Sequence, residues 1–208
     1  MSSHGKQAPV DIGASGRYEP TVTHVLDDLF ALVNERAYAE GEFTLASGRK
    51  SRYYFDGKLV VFDQLGARLF AGWLLARISE LKPRPVAVGG LEIGAIPIAC
   101  TATALASFPL AAFVVRKQPK SHGTSKWIEG PIKAGDDVVV VDDVITTGES
   151  TLKAVRAVRD LGANVRGVFC LVDRQEGHSD EFDKLQRETH FEAAFTLNDF
   201  LRRRRERK

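Results

Sequence analysis

The stretch Val138–Ser150, reading Val-Val-Val-Val-Asp-Asp-Val-Ile-Thr-Thr-Gly-Glu-Ser, constrains this chain more than any other. Four successive β-branched apolar residues suit a strand buried on both faces, which is the habit of a parallel sheet covered by helices. The run ends on two adjacent carboxylates, Asp142 and Asp143. Small hydroxyl residues and Gly148 then lead into a helical pattern, Ser150 to Leu161, closed by Gly162 as C-cap. In doubly wound sheets ligands bind beyond the carboxyl ends of the strands. Thr146 to Ser150 can offer backbone N–H groups and hydroxyls at a helix N-terminus, a phosphate cradle without a lysine. Two carboxylates just before it repel phosphate and suit a sugar diol, or a magnesium ion held through water. A ribose flanked by a phosphate satisfies both halves. A plain strand–turn–helix asks for one Asp as N-cap, not two.

The rest of the chain supports a parallel sheet. Helical spacing runs from Thr21 to Tyr38, with Thr21 or Thr23 as N-cap, and from Asp63 to Leu81. Phe43–Leu45 and Tyr53–Asp56 read as short strands joined by the turn Ser47-Gly48-Arg49. From Val86 onward strands alternate with helices: Val86–Val88, helix Ala95–Leu105, Ala111–Val115, the Val138 run, its helix, and Val165–Val172. Glu181 to Arg205 holds helix and one more strand near Phe191–Phe195. The expected fold is α/β, a doubly wound, mostly parallel sheet flanked by helices, with a small N-terminal appendage. Residues 1–20 read as a mobile tail, 21–62 as an N-terminal helix and hairpin, 63–200 as the core with a polar segment at 116–130, and 201–208 as a basic tail.

Charge and composition exclude several classes. The net charge is +2, yet Arg202–Lys208 holds five Arg, one Lys and one Glu, a local +5 that leaves about −3 on the body. A basic nucleic-acid-binding body is not indicated, and the arginines suit a solvated helix end whose cations complement the dipole. No run reaches the roughly 18 apolar residues of a membrane span, and Met1 to Pro20 lacks a signal-peptide core. A cytoplasmic protein with Cys100 and Cys170 as buried, reduced thiols is expected.

The Val138–Ser150 motif resembles the phosphoribosyl-pyrophosphate (PRPP) loop of type I phosphoribosyltransferases. The resemblance implies that Asp142 and Asp143 face the ribose hydroxyls, and that the loop through Val144, Ile145, Thr146, Thr147, Gly148, Glu149 and Ser150 holds PRPP by its 5′-phosphate. Three further segments are similar to orotate phosphoribosyltransferases, and the resemblance covers roughly residues 24–200. Phe43–Asp56 looks like that family's hood, where Tyr54 or Phe55 would stack on a planar pyrimidine. Arg116-Lys-Gln-Pro-Lys-Ser-His-Gly123 resembles its mobile lid. There Arg116, Lys117, Lys120 and His122 would compensate a pyrophosphate leaving group, Lys120 and His122 catalytically, and part of the lid would serve the neighbouring subunit of a homodimer. Leu171–Gly177 carries Arg174, which can fork onto a carboxylate such as orotate's, with Thr146 also contacting the base, or can instead pair within the fold with Asp173 or Glu176. Gly89-Gly-Leu-Glu-Ile-Gly-Ala95 suits close approach of backbone amides to pyrophosphate.

The implied reaction joins orotate and PRPP into orotidine 5′-monophosphate and pyrophosphate, with Mg2+ held mainly through PRPP oxygens and by Asp142 and Asp143 through water. One departure stands out: many family members carry Lys where this chain has Ala46, leaving Lys50 or Lys58 as substitutes. Two other readings share the motif: transfer to a purine or uracil, and a PRPP-sensing regulator of nucleic acid. The short segment before residue 40 and the absence of a basic body argue against the regulator. Small-molecule substrates are expected, with neither nucleic acid nor membrane as partner.

Overall fold

The computed structural model describes residues 22–44, 48, 50–118 and 127–206. Helix α1 (Val22–Leu32) runs on through a wide π turn, Val33–Ala37, into a two-stranded antiparallel hairpin, β1 (Tyr38–Thr44) and β2 (Lys50–Phe55). A single turn, α2 (Lys58–Val61), and the long α3 (Gln64–Glu80) follow. Asp63 caps α3 by accepting from the N–H groups of Leu65 and Gly66, each at 3.0 Å, which satisfies two donors a helix start leaves orphaned.

The main sheet has the order β5-β4-β3-β6-β7-β8, where β3 is Ala87–Leu91, β4 Ala111–Val115, β5 Ile128–Glu129, β6 Asp137–Ile145, β7 Asn164–Asp173 and β8 His190–Thr196. All pairs are parallel except β4–β5. β5 lies inside the segment that reads as unbroken polar loop; two residues are too few to show a period. Helices α4 (Ala95–Leu105), α5 (Glu149–Asp160), α6 (Asp180–Glu188) and α7 (Leu197–Arg205) complete the chain.

The four valines of β6 explain the layering. Val139 and Val141 enter a core shared with α1, α3, α4 and α7, whereas Val138 and Val140 enter a second core under α5 and α6. Alternate side chains of one strand thus serve both faces. Burying each valine stabilises the fold by about 1.5–3 kcal/mol. The chain leaves β3 for β4 on one side and later returns to β6 on the other. The gap between the ends of β3 and β6 is therefore the switch point where open α/β sheets bind ligands.

One expectation needs correction. Cys100 sits on the outer side of α4 and is exposed; only Cys170 is buried, and both are free thiols. The basic tail is continuous with α7 as far as Arg205, capped by a Thr196–Asp199 capping box. Phe200 of this helix is fully buried against Phe30, Tyr38, Phe55 and Phe195. Arg203 pairs with Asp27 and lies over the Phe30 ring, and Arg204 pairs with Glu40 and lies over Tyr38. These arginines fasten the C-terminal helix to the N-terminal lobe. Residues 1–20 lie outside the described residues, as do Leu45–Ser47, Arg49 and residues 119–126.

Candidate active site

β6 ends at the switch point and carries both acids there. Asp142 is 8% exposed. Its Oδ2 accepts from Thr151 Oγ1 of α5 at 3.1 Å, and its Oδ1 accepts from the Asp143 N–H at 3.0 Å. Burial first, and then the neighbouring charge of Asp143, push its carboxyl well above the usual range. Asp143 is half-buried and sits between two glycines. A Cβ on Gly94 would lie 2.3 Å from its Oδ1, and one on Gly57 would lie 2.9 Å from its Oδ2. A methyl at either position would press on the Asp143 side chain, and at Gly57 on Val144 as well. Lys58, one residue after Gly57, pairs with Asp56 at 2.6 Å, and that bond with the charge of Asp143 holds its ammonium pKa above normal. Lys58 is thus the lysine beside the acids. Ala46 lies outside the described residues, and Lys50 is exposed on β2.

Gly148 takes the left-handed conformation, φ 80°, between β6 and α5. It presses on Phe182, whose Cγ would lie 2.2 Å from an added Cβ. Thr147 C=O accepts from the Ser179 N–H at 3.1 Å, pinning the loop to the start of α6. Thr147 Oγ1 accepts from the Glu149 N–H at 3.4 Å, and Glu149 and Ser150 are exposed. Amides at this helix start suit an anion. Val144 is half-buried against the first core and Ile145 fully buried in the second. Their side chains anchor the loop, so any ligand contact from them must come through backbone.

At the end of β3, Glu92 Oε1 accepts from the Lys117 N–H at 2.8 Å, tying the Gly-rich turn to the base of the cationic segment. Arg116 bonds the Gln118 carbonyl and lies 3.5 Å from Glu129. Lys120 and His122 lie outside the described residues. A cavity of about 670 Å3 lies between β4, β5 and α5, with Lys117, Trp127, Ile132 and Lys153 in its wall. Its wall does not include the acids or Arg174, so it is distinct from the switch point itself.

Arg174, just past β7, is 3% exposed. Its N–H donates to Ile145 C=O at 2.9 Å, joining it to the root of the loop. Its Nη2 donates to Ser51 Oγ at 3.0 Å, to the Tyr53 carbonyl at 2.9 Å and to Glu176. The guanidinium therefore fastens β2 to the core and already holds a protein carboxylate, the Glu176 pairing that the sequence leaves open beside the fork onto a substrate. Asp173 is engaged elsewhere, with His178 at 2.8 Å and the Gln175 N–H at 2.8 Å. The aromatic pair separates clearly. Tyr54 is 40% exposed and stacks on Phe43 at 5.3 Å. Phe55 is 5% exposed, packed on Tyr38 and Phe200, so it is a core residue and not a stacking platform. Thr146 is half-buried at the loop's start.

Ser51, Tyr53, Glu92 and Thr151 escaped the sequence reading. Their links to the site span from 9 residues, Asp142 to Thr151, to 125 residues, Ser51 to Glu176. Among the described residues no three His, Cys, Asp or Glu side chains cluster as a metal cage. A divalent cation would find one acid pair here and would need further oxygens from its ligand, which is how Mg2+ commonly binds beside phosphates.

Comparison with known proteins agrees with this geometry. Residues 62–197 match the family model described as the phosphoribosyl transferase domain. The chain is 41% identical over 182 residues to the orotate phosphoribosyltransferase of Rhodopirellula baltica, covering 84% of this chain and 93% of that protein. Against the Synechocystis sp. orotate phosphoribosyltransferase the figures are 43% over 175 residues, 82% and 86%. Mycobacterium tuberculosis orotate phosphoribosyltransferase, solved in complex with PRPP, superposes with a TM-score of 0.69 at 31% identity, covering 84% of this chain and 98% of that one.

Proposed function

This chain belongs to the orotate phosphoribosyltransferases, and from that premise we propose how its residues share the transfer of a 5-phosphoribosyl group from PRPP to orotate. The reaction yields orotidine 5′-monophosphate and pyrophosphate, a step of pyrimidine biosynthesis. The observation that carries the assignment is the 2.9 Å backbone bond between Arg174 and Ile145. It roots Arg174, whose buried guanidinium suits a carboxylate, at the base of a loop suited to a sugar phosphate.

Asp143, with Asp142 behind it, receives the ribose hydroxyls. The loop from Thr146 to Ser150 and the start of α5 receive the 5′-phosphate. Arg174 takes the orotate carboxylate, Thr146 lies beside the base, and Tyr54 offers the exposed ring for stacking. No side-chain nucleophile is required, because the base nitrogen attacks the ribose C1 as the C1–pyrophosphate bond breaks. The protein positions the reactants, an effect worth about 7–11 kcal/mol in well-oriented systems, and places charge where it develops. Arg116, Lys117, Lys120 and His122 supply cations to the departing pyrophosphate.

Bound through PRPP oxygens, with Asp142 and Asp143 reaching it through water, Mg2+ would neutralise phosphate charge and polarise the leaving group. A homodimer is part of the same reading, supported by exposed Leu59, Phe62 and Ile93 on the two segments that flank Asp143. So is a cytoplasmic setting, supported by two free thiols. Among the described residues no helix is long and apolar enough to cross a membrane.

The test follows orotate absorbance with the purified protein. Loss of absorbance that requires both PRPP and magnesium is the expected result. Consumption without PRPP, or none with both present, would remove this function.

A further inference from the structure

Arg174 has an incompletely filled fork. Its Nη2 faces three protein acceptors, Ser51 Oγ, the Tyr53 carbonyl and Glu176. Its Nε is buried and has no hydrogen-bond partner among the described residues. Native structures rarely leave such a donor unmade, because the desolvation cost is not recovered. A guanidinium binds a carboxylate best through two parallel N–H bonds. Glu176 sits two residues along the chain and reaches only one of these tines. Its own carboxylate is braced by Ser51 Oγ, at 3.2 and 3.3 Å, and its side chain is 29% exposed, so solvent is open to it if it leaves.

We propose that Glu176 is a placeholder for the substrate's carboxylate, a specificity-determining residue that neutralises Arg174 in the empty site and must be displaced by orotate. The inference rests on the reading that Arg174 receives that carboxylate. An incoming planar carboxylate offers Nε the acceptor that Glu176 cannot reach, so the exchange replaces a half-filled fork with a filled one. A base without a carboxylate brings no charge to replace Glu176, and the ion pair then stays closed. Orotate affinity is lowered by the fraction of molecules in which Glu176 occupies the guanidinium, as for any site whose competent state is a minor one.

The experiment measures KM for orotate and for PRPP, together with the melting temperature, for the full chain and for Glu176→Gln and Arg174→Lys. Glu176→Gln keeps the shape and removes the charge. The expected result is a lower melting temperature, because a buried cation loses its counter-ion, with an orotate KM that falls about three- to tenfold and an unchanged PRPP KM. A residue that only braced the fold would lower the melting temperature and raise both KM values. Arg174→Lys keeps the charge and loses the fork, so its orotate KM should rise. An unchanged orotate KM in Arg174→Lys overturns the reading of Arg174 itself. A rise there, combined with an unchanged or raised KM in Glu176→Gln, overturns the placeholder alone. Should Glu176→Gln fail to fold, Glu176→Asp, which draws the carboxylate back by one methylene, carries the test with the same direction and a smaller fall.

Discussion

Gly94→Ala isolates the position of one carboxylate. Gly94 has φ −59° and ψ −36°, ordinary helical values that alanine adopts without strain. The added methyl would lie 2.3 Å from Asp143 Oδ1, where ordinary contact begins at 3.4 Å. Only the end of the Asp143 side chain stands in the way, so the fold yields easily and the carboxylate moves by about 1 Å. A misplacement of about 1 Å in a reacting constellation costs on the order of a hundredfold in rate, equivalent to about 2.7 kcal/mol of transition-state stabilisation. The assay is kcat/KM for PRPP at saturating orotate, with thermal unfolding beside it. Gly72→Ala serves as control, because its Cβ would meet nothing within 4 Å on α3. The expected outcome is a roughly hundredfold loss for Gly94→Ala, with a stability change within about 1 kcal/mol and normal activity in the control. Full activity in a well-folded Gly94→Ala protein would refute the assignment of Asp143 to the ribose.

Asp142→Asn should cost about ten- to hundredfold in kcat/KM, the worth of a hydrogen bond to a charged group, and should stabilise the fold as pH rises. Burial raises the Asp142 pKa in the folded state, so its contribution is intact below the ordinary carboxylate range and is lost as pH climbs through the raised value; urea titrations should show an Asn advantage at pH 8 that shrinks as the pH is lowered toward the ordinary carboxylate range. Lys120→Ala should lower kcat by about a hundredfold, as for loss of one charge-stabilising donor, and change the orotate KM little; unaltered turnover would remove Lys120 from the mechanism. Phe200→Ala should cost about 3–5 kcal/mol in urea unfolding, since its ring is fully buried among four aromatic neighbours; a loss below 1 kcal/mol would mean that α7 does not fasten the N-terminal lobe.

The sheet was legible because its strands are buried on both faces. The Val138–Val141 run could fold in few other ways, and α4 and β4 fall on the residues that periodicity picks out, Ala95–Leu105 and Ala111–Val115. β1 was not legible at its start: Ala39 to Glu42 are all exposed, so no alternation betrays the strand. Residue type alone could not divide Tyr54 from Phe55, since either ring can enter a core. Only the packing of Phe200 into the lobe decides it. The acids and the loop could be read from thirteen consecutive residues. Two of the partners of Arg174 could not, because Ser51 and Tyr53 are 123 and 121 residues away and meet it only after the hairpin docks.

The central claim is that a buried guanidinium beside a sugar-phosphate loop selects a base bearing a carboxylate. The most direct measurement is kcat/KM of the purified protein for orotate, uracil, hypoxanthine and adenine, each with PRPP and magnesium and with products resolved by chromatography. Orotate should exceed every other base by at least about a hundredfold, the scale set by leaving a buried charged group unpaired. Equal or better turnover of uracil or a purine would keep the loop's role and contradict the role given to Arg174.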